Sequence, residues 1–365
     1  MFWYLLLMGI VLCVMLLCAI GKHYGYKTIE RQFILLSSVP LIFFMAFRES
    51  HVGIDTLEYV RAFSQIREYT LFQALFAEVY GRGRYTLLLE PGYRLFNWIV
   101  GLFSKNDQAI IVFGSLLIIS LLTHVCKKES SAPMLSLFMY LTLGIFQTHM
   151  NVSRNAMAIF ICYYGFKYIE SKRLWRFLLC VMIGCSFHFS VILLIPLYWL
   201  VNYVSFDNKN FRKILVSVFA FTMVFPLLKD LFVRIVPAIY RGYFLRNTED
   251  RSGILVGLFY LLLFVISILF VKKGERYKVL SDERTGTWML LLNTFFFSLS
   301  FSMGNAARAA ALFGPYIIIY IPQLLDKVRK KGIARAIVII LCIGIYIARM
   351  SVNNIGRTMP FQFCF

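Results

Sequence analysis

The residues of this sequence that could do chemistry are, first of all, arginines at the ends of apolar segments. Arg48, Arg154 and Arg308 each adjoin a long apolar run. A guanidinium group keeps its charge at physiological pH, and its planar fork matches phosphate or carboxylate in bidentate fashion. Arginines from separate segments could therefore surround one anionic group, provided that folding brings those segments together.

One histidine also has an unusual position. His188 lies inside the apolar segment from Leu174 to Tyr203. An ionisable group inside such a segment is costly unless it has a role, and imidazole changes its charge near neutral pH. Two interpretations stay open: a group that transfers protons, or a histidine that only forms a hydrogen bond between helices.

The composition indicates that a lipid bilayer surrounds most of these segments. Of 365 residues, 60% are hydrophobic and 15% are charged, whereas soluble domains carry about 25% charged residues. A helix that crosses the bilayer core needs about 20 mostly apolar residues, and such runs recur throughout the sequence. We therefore predict an all-α polytopic membrane protein, one transmembrane domain over residues 1–365, with about 11–13 transmembrane or half-membrane helices.

The predicted spans are the apolar runs themselves. The first run has no basic residue before it and no small-residue cleavage pattern after it, so we expect a retained span rather than a signal peptide. The predicted spans are Met1–Ile20, Phe33–Phe47, Asp107–Val125, Pro133–Met150, Asn155–Ile169, Leu174–Tyr203, Ile214–Leu228, Gly253–Val271, Gly286–Met303, Ala309–Leu325 and Ile333–Ala348.

Basic loops predict which span ends face the cytoplasm, because cytoplasmic loops retain Lys and Arg. The basic clusters lie at Lys22–Arg31, Lys127–Lys128, Lys172–Arg176, Lys209–Lys213, Lys272–Lys278 and Lys327–Lys331. If these loops face the cytoplasm, both termini face the outside. The other segments that we expect outside are a loop over residues 48–106 with amphipathic helices, residues 149–154, a second loop over 229–252, residues 304–308 and the tail from 349. The segment Leu174–Tyr203 lies between two basic loops, so we predict a broken or re-entrant hairpin that bends near Gly184–Ser190.

The segments predicted to be external carry arginine far more often than lysine. A topology signal would use either cation, so this bias predicts an anion-binding cavity on the outer face. The alternative for any single arginine is an ion pair with a nearby carboxylate, or contact with lipid headgroups. Arg82 and Arg84 lie in a glycine-rich loop, where we expect them to be solvated.

Several functional classes lack their signatures in this sequence. The eight cysteines form no CxxC pair and lie mainly within predicted spans, as small buried hydrophobic residues do. Walker loops, dinucleotide fingerprints and HExxH motifs are absent from the sequence, and the external loops contain no DxD pair for a metal. The net charge of +20 is accounted for by topology, so we expect no nucleic-acid partner, no cofactor and no metal.

A motif follows the second predicted span directly. It reads Arg48, four residues, Gly53, one residue, Asp55-Thr56, two residues and Tyr59. Gly53 permits a turn, and Asp55 or Thr56 can cap a helix that begins near Leu57. The same arrangement resembles the EpsG-like branch of bacterial polysaccharide polymerases, which are related to the Wzy polymerases that extend O-antigen and capsule chains.

Further landmarks extend this resemblance over roughly residues 30 to 325. Glu90-Pro-Gly-Tyr93, ahead of an amphipathic stretch, is similar to the second landmark of the family. Arg154, followed by Asn155, resembles the third, and the stretch Phe187–Ser190 around His188 resembles the fourth. Arg308, after Gly304-Asn305, is similar to a fifth.

The resemblance implies a reaction at the outer face of the bacterial inner (cytoplasmic) membrane. A growing glycan would move from one undecaprenyl pyrophosphate carrier to the sugar end of another lipid-linked repeat unit. The implied fold resembles membrane-embedded lipid-linked glycosyltransferases. The implied partners are the lipid-linked donor and acceptor, the bilayer and a chain-length regulator protein.

For that reaction, the candidate residues fall into two sets. Arg48, Arg154 and Arg308, with Tyr59 and Tyr93 of the family landmarks, would bind the pyrophosphate and glycan, and the arginines would stabilise the charge of the leaving group without a metal. The acceptor is a sugar hydroxyl, which a base could assist by removing its proton. The candidate bases are His188, Asp55 and Glu90, although Asp55 can equally be a helix cap or an arginine partner.

Two other functional classes fit part of this pattern. A lipid-linked oligosaccharide flippase also needs cations in a membrane cavity, but the internal repeat that is common in transporters is not visible in the sequence. A membrane acyltransferase of polysaccharides also places a histidine beside arginines. Extension of a lipid-linked repeat by the purified protein would distinguish a polymerase from both.

Overall fold

The computed structural model is mostly helical in the residues that it describes. It describes residues 1–26, 29–83, 85–235, 260–262, 264–265, 275–300, 306–352 and 354–365. The α-helices are α1 Phe2–His23, α2 Ile29–Ala46, α3 Thr56–Ile66, α4 Leu71–Phe76, α5 Pro91–Phe103, α6 Gln108–Glu129, α7 Pro133–Thr142, α8 Ile145–Asn151, α9 Ser153–Tyr164, α10 Lys167–Glu170, α11 Leu174–Phe187, α12 Leu197–Tyr203, α13 Asn208–Ile235, α14 Arg276–Asp282, α15 Arg284–Leu299, α16 Ala306–Phe313, α17 Ile317–Asp326 and α18 Lys331–Val352. Short 3₁₀ helices lie at Phe189–Leu194, Gly314–Tyr316 and Ile355–Arg357.

Several of these helices have the length and composition of membrane spans. In the described ranges, five helical segments are long and apolar enough to cross a bilayer: Phe2–His23, Ile29–Ala46, Gln108–Glu129, Ala306–Asp326 and Lys331–Ser351. Shorter apolar helices lie at Pro133–Thr142, Leu174–Phe187 and Phe189–Tyr203. The predicted class, an all-α polytopic membrane protein, is confirmed.

The apolar segment that contains His188 is broken where the sequence predicted a bend. Helix α11 ends at Phe187, a 3₁₀ helix follows, and α12 ends at Tyr203. Asn202 Nδ2 donates a hydrogen bond to the carbonyl of Ile169 at 3.1 Å. Since Ile169 precedes α11 in the chain, the segment returns to where it began, as expected of a hairpin.

The predicted span from Pro133 to Met150 is not one continuous helix. Gly144 has a φ of 76°, in the left-handed region, and it separates α7 from α8. Glycine adopts this conformation without a steric penalty because it has no Cβ atom. The sequence prediction missed this break because the residues on both sides are apolar. The next predicted span, Asn155–Ile169, is likewise divided between α9 and α10.

Part of the predicted topology falls on residues that the structure does not describe. The predicted span Gly253–Val271 and the external loop over residues 229–252 lie largely outside the described ranges. Helix α13 contains the predicted span Ile214–Leu228 and extends to Ile235.

The chain divides into two compact units. The first contains Met1–Gly165, Trp175–Ile192 and Gly332–Phe365, and the second contains Phe166–Leu174 and Leu193–Lys331. In the first unit, α2 packs against α1 and α6, and α6 packs against α9. In the second unit, α15 packs against α16, α12 and α13.

The segment between α2 and α6 carries two amphipathic helices, α3 and α5. Val60, Phe63 and Val100 form one apolar cluster with Ala109–Ile111 at the start of α6. A second cluster, which includes Ile66 and Ala74, holds α4 on the same pair of helices. Burial of these apolar faces fixes α3 and α5 against the first unit. The polar ends of both helices are thereby held in defined positions.

Candidate active site

Glu90 connects a guanidinium group and an imidazole in the first unit. Its Oε2 lies 2.6 Å from Arg154 Nη1, and its Oε1 lies 3.4 Å from His188 Nδ1. The Glu90 side chain is 19% exposed and the His188 side chain 33% exposed. These three side chains, the Glu90 cluster, are therefore partly shielded from water yet accessible to a ligand.

Three helix ends bring the Glu90 cluster together. Glu90 is the N-cap residue of α5, and Pro91 at the first helical position keeps it extended. Arg154 lies in the first turn of α9. His188 follows the last residue of α11, and the backbone N–H of Phe189 donates to Glu90 Oε1 at 3.2 Å. The break after α11 thus supplies both the imidazole and an amide that holds the carboxylate.

The charges in the cluster favour an ionised carboxylate. Burial of Glu90 opposes its ionisation, but the hydrogen bond from His188 and the positive charge of Arg154 outweigh burial, so its pKa is lower than usual. Burial also disfavours the charged form of Arg154. The opposing influence of Tyr59 and of the Glu90 carboxylate is larger, so the Arg154 pKa is raised. Both groups are charged at neutral pH.

Two tyrosines lie beneath the Arg154 guanidinium. Its carbon lies 5.7 Å from the centre of the Tyr59 ring and 5.6 Å from that of Tyr93, within cation–π distance. The two rings meet edge to face at 5.8 Å. Burial raises the pKa of Tyr59 to about 12 and that of Tyr93 further, so both phenols are neutral. The two residues predicted to bind substrate thus support Arg154 from below.

Arg48 has a different environment from Arg154. Its side chain is buried, its Nη2 donates to the Met150 carbonyl at 2.9 Å, and its Nη1 donates to the Met45 carbonyl. These carbonyls lie in the last turns of α2 and α8, so the guanidinium caps two helix C-termini. Arg48 Nε has no hydrogen-bond partner in the part of the chain that the structure describes. Burial lowers the pKa of Arg48 to about 10, which leaves it charged at neutral pH.

A pocket in the first unit extends from Arg48, Tyr59 and Tyr93 between α2, α6 and α9. Its free volume is about 10 Å³, which is room for about one water molecule. Its other lining residues are mostly apolar and comprise Met45, Thr56, Ile110, Ile111, Gly114, Ser115, Ile118, Ser153 and Met157. One end of the pocket is thus cationic and the remainder is largely aliphatic. That this pocket faces the outside stays a prediction.

The other two site residues that the sequence predicted, Asp55 and Arg308, lie outside the Glu90 cluster. Asp55 occupies the N-cap position of α3, one of the two caps that the sequence allowed, and its backbone N–H donates to Asn151 Oδ1 at 3.0 Å. Arg308 is an exposed residue of α16, in the second unit. A catalytic role for Asp55 and a place for Arg308 beside the pyrophosphate stay predictions.

The family model for the EpsG family matches residues 31–363. The chain belongs to the EpsG family. Comparison with curated proteins and with solved structures gives no significant match. Membership of this family supports a polysaccharide-related, glycosyltransferase-like polymerase, and the apolar helices agree with a multi-pass membrane location.

The other arginines of this EpsG-family chain divide between the two explanations offered by the sequence. Arg61 pairs with Glu58 at 2.9 Å, and Arg67 pairs with Asp107 at 2.6 Å, so the ion-pair alternative holds for both. Arg82 is exposed, as predicted. Arg84, Arg241, Arg246 and Arg251 lie outside the described residues. Arg48 and Arg154 are thus the described arginines that combine burial with a position at the pocket or the cluster.

Sequence reasoning missed the C-terminal tail, which the EpsG family match includes. Residues 354–365 run along the loop that carries Arg48, and Arg48 itself forms an antiparallel bridge with Phe363. The Glu49 N–H donates to the Gln362 carbonyl at 2.9 Å, and the Gly53 N–H donates to the Arg357 carbonyl at 3.1 Å. The alternation Phe361-Gln-Phe-Cys-Phe365 is typical of an extended segment with one apolar face, and could have revealed this pairing.

Proposed function

We propose that this EpsG-family protein is a polymerase of lipid-linked glycan repeat units. It transfers a growing chain from one undecaprenyl pyrophosphate carrier to the sugar end of another repeat unit, at the outer face of the bacterial inner membrane, to form O-antigen, capsule or exopolysaccharide. The observation that carries this proposal is the Glu90 cluster, in which one carboxylate holds a cation and an imidazole side by side. Such a group can stabilise an anionic leaving group and remove a proton in the same reaction.

His188 is the base in this mechanism. The contact between Glu90 and His188 Nδ1 favours the tautomer with a proton on Nδ1, which leaves Nε2 free to accept the proton of the acceptor hydroxyl. The hydroxyl oxygen forms a new bond to the anomeric carbon of the donor glycan. The bond from that carbon to the pyrophosphate oxygen breaks, and its electron pair leaves with the lipid pyrophosphate. Glu90 stays ionised and stabilises the imidazolium that forms.

Arg154 and Arg48 are the proposed partners of the pyrophosphate. Arg154 Nη1 already contacts Glu90, and its buried Nε has no hydrogen-bond partner among the described residues, so a shift of the side chain would let Nε donate to a phosphate oxygen. Arg48 contributes its charge at the cationic end of the pocket. Guanidinium groups that are fixed before the reaction stabilise charge as it develops, without reorganisation and without a metal. A place for Arg308 beside the pyrophosphate stays a prediction from the sequence.

The test is chain extension by the purified protein. In detergent or nanodiscs, with an undecaprenyl pyrophosphate-linked repeat unit as the only substrate, we expect a ladder of longer glycans that persists in excess EDTA. His188→Ala should lower the rate of ladder formation by about 10²–10⁴-fold, whereas Arg82→Lys should leave it unchanged. Movement of the substrate across a vesicle membrane without a ladder would identify a flippase, and a requirement for an acyl donor would identify an acyltransferase. Either outcome would overturn the proposal.

A further inference from the structure

Two of the helices that carry the Glu90 cluster, α5 and α11, approach each other closely at a glycine. A Cβ atom placed on Gly92 would lie 2.1 Å from Ser186 Oγ, 2.7 Å from Ser186 Cβ and 2.8 Å from the Ser186 carbonyl oxygen. Gly92 is in the first turn of α5 and Ser186 in the last turn of α11. The first turn of one helix therefore rests directly on the last turn of the other.

The conformation of Gly92 does not itself require glycine. The described residues with a positive φ include Gly53, Gly83 and Gly144 but not Gly92. Glycine is also a weaker helix former than alanine. Since neither the backbone nor helix propensity favours glycine here, the reason for it is the missing side chain.

Ser186 cannot easily move aside to admit a larger residue. Its hydroxyl donates to the Ile183 carbonyl at 2.7 Å, which fixes the side chain against its own helix. The third close atom is a backbone oxygen, which moves only with the helix. Beyond Ser186, the rings of Phe96 and Phe187 lie 6.3 Å apart and belong to the same pair of helices. A Cβ atom at Gly92 would thus separate α5 from α11.

Separation of these helices would act directly on the Glu90 cluster. Glu90 precedes Gly92 at the start of α5, and His188 follows Ser186 just after α11. The contact of 3.4 Å between Glu90 Oε1 and His188 Nδ1 crosses the same junction. We infer that Gly92 is a positioning residue, whose lack of a side chain sets the distance between the Glu90 carboxylate and the His188 imidazole; its effect on catalysis rests on the function proposed above.

The test compares Gly92→Ala with variants that separate positioning from folding. Gly92→Ala should lower chain extension by at least about tenfold, because misplacement of a catalytic group by about 1 Å costs up to about 100-fold. Ser186→Gly in the same molecule should restore part of the activity, since it removes the two closest atoms. Gly9→Ala and Gly344→Ala are matched controls, because a Cβ atom at either position meets nothing within 4 Å.

A second readout distinguishes positioning from a general loss of structure. In a His188→Ala background, Gly92→Ala should cause no further loss of residual activity, whereas a destabilised protein would lose more. Full activity of Gly92→Ala, or a further loss in the His188→Ala background, would overturn the inference. If Gly92→Ala does not accumulate in the membrane, the double variant Gly92→Ala with Ser186→Gly is compared with Ser186→Gly alone. The Ser186 carbonyl oxygen still lies 2.8 Å from the added Cβ atom, so the inference predicts lower activity for the double variant, and equal activity contradicts it.

An experiment without catalysis keeps this inference separate from the proposed function. Glu90→Cys and His188→Cys, combined in a Cys185→Ala background, should be joined by a short bifunctional thiol reagent. The added Gly92→Ala change should slow the cross-linking several-fold. Cross-linking at an unchanged rate would contradict the inference even if the wild-type protein forms a glycan ladder. A slower rate would support it even if no ladder forms.

Discussion

Arg48 and Arg154 are alike in the sequence and different in the structure. Both are arginines at the ends of apolar helices, and both are held largely away from water in the first unit. Arg154 contacts the Glu90 carboxylate, and a histidine lies on the other side of that carboxylate. Arg48 donates to carbonyl groups at the ends of α2 and α8. Residue type and position predict a buried cation in both cases. The side chains that surround each arginine in the structure show that Arg154, through Glu90, is linked to a possible base.

This difference in environment predicts different roles for the two arginines. Arg154 belongs to the group that would carry out proton transfer and charge stabilisation. Arg48 fixes helix ends and supplies charge to the pocket from a rigid position. Substitutions at the Glu90 cluster should therefore act mainly on catalysis, and those at Arg48 on both catalysis and stability.

The largest effect is expected at His188. His188→Ala should lower chain extension by about 10²–10⁴-fold, the usual contribution of a general base. His51→Ala is the matched control, because His51 lies in the same loop as Arg48 and its side chain is 72% exposed. Initial rates of ladder formation measure both variants. Near-normal activity of His188→Ala would exclude the role of His188 as the base and would favour a histidine that only forms a hydrogen bond between helices.

A smaller effect is expected from lysine at position 154. A lysine ammonium keeps the charge but lacks the planar fork, so it cannot contact Glu90 and a phosphate in fixed directions. Arg154→Lys should lower chain extension by at least about tenfold, equivalent to about 1.4 kcal/mol of transition-state stabilisation, with normal membrane levels. Arg82→Lys should be nearly silent.

Lysine at position 48 should affect two measurements. A single ammonium cannot reproduce the directional contacts to the Met45 and Met150 carbonyls, so we expect both a lower thermal midpoint in detergent and an activity loss of at least about tenfold. Arg154→Lys should leave the midpoint nearly unchanged. An Arg48→Lys variant that melts early yet extends chains normally would reduce Arg48 to an anchor. Full activity with lysine at both positions would remove the catalytic assignment of both arginines.

A still smaller effect is expected from the C-terminal tail. Removal of residues 361–365 deletes the Gln362 carbonyl that accepts from the Glu49 N–H. The deletion also removes the Cys364 N–H that donates to the Phe47 carbonyl, and the buried Phe361 ring. Loss of one hydrogen bond alone, about 1 kcal/mol, would speed amide exchange at Glu49 by about fivefold, so we expect at least this increase. Gln362→Ala with Cys364→Ser is the control, because it alters exposed side chains and keeps the backbone pairing. Unchanged exchange at Glu49 after the deletion would show that the tail does not hold this loop.

The smallest expected effect is a pH dependence of stability at Glu90. The Glu90 pKa is below its usual value of 4.5 in the folded protein, so its ionisation stabilises the fold above that pH. This stabilisation is lost as the pH falls below 4.5 and through the pKa of the folded state. Thermal midpoints from pH 6 to pH 3 should therefore fall less for Glu90→Gln than for the wild type. Parallel curves would contradict the ionised state assigned to Glu90.

The sequence predicted the parts of this account that depend on local patterns. Hydropathy predicts the helical membrane class, and the positions of basic loops predict the break near His188. The N-cap at Asp55 follows from a short motif. The break at Gly144 escaped prediction because an isolated glycine in an apolar run leaves the hydropathy unchanged.

The composition of the Glu90 cluster could not be predicted in the same way. Glu90, Arg154 and His188 are far apart in the chain, and their contact depends on how α5, α9 and α11 pack. The sequence named all three residues but gave Glu90 only as a possible base, whereas its ion pair with Arg154 and its contact with His188 give it a connecting position. The close approach of Gly92 to Ser186 likewise depends on how α5 packs against α11, so the sequence alone could not predict it.

The central claim is that the Glu90 cluster is where the transfer takes place. The most direct test is an experimental structure of the protein with an undecaprenyl pyrophosphate-linked repeat unit bound. We predict phosphate density within hydrogen-bond distance of Arg154, beside the pocket that Arg48 lines, with a sugar hydroxyl about 3 Å from His188 Nε2. Phosphate density at the basic loops that the sequence predicts to be cytoplasmic, with no ligand at the Glu90 cluster, would contradict this claim.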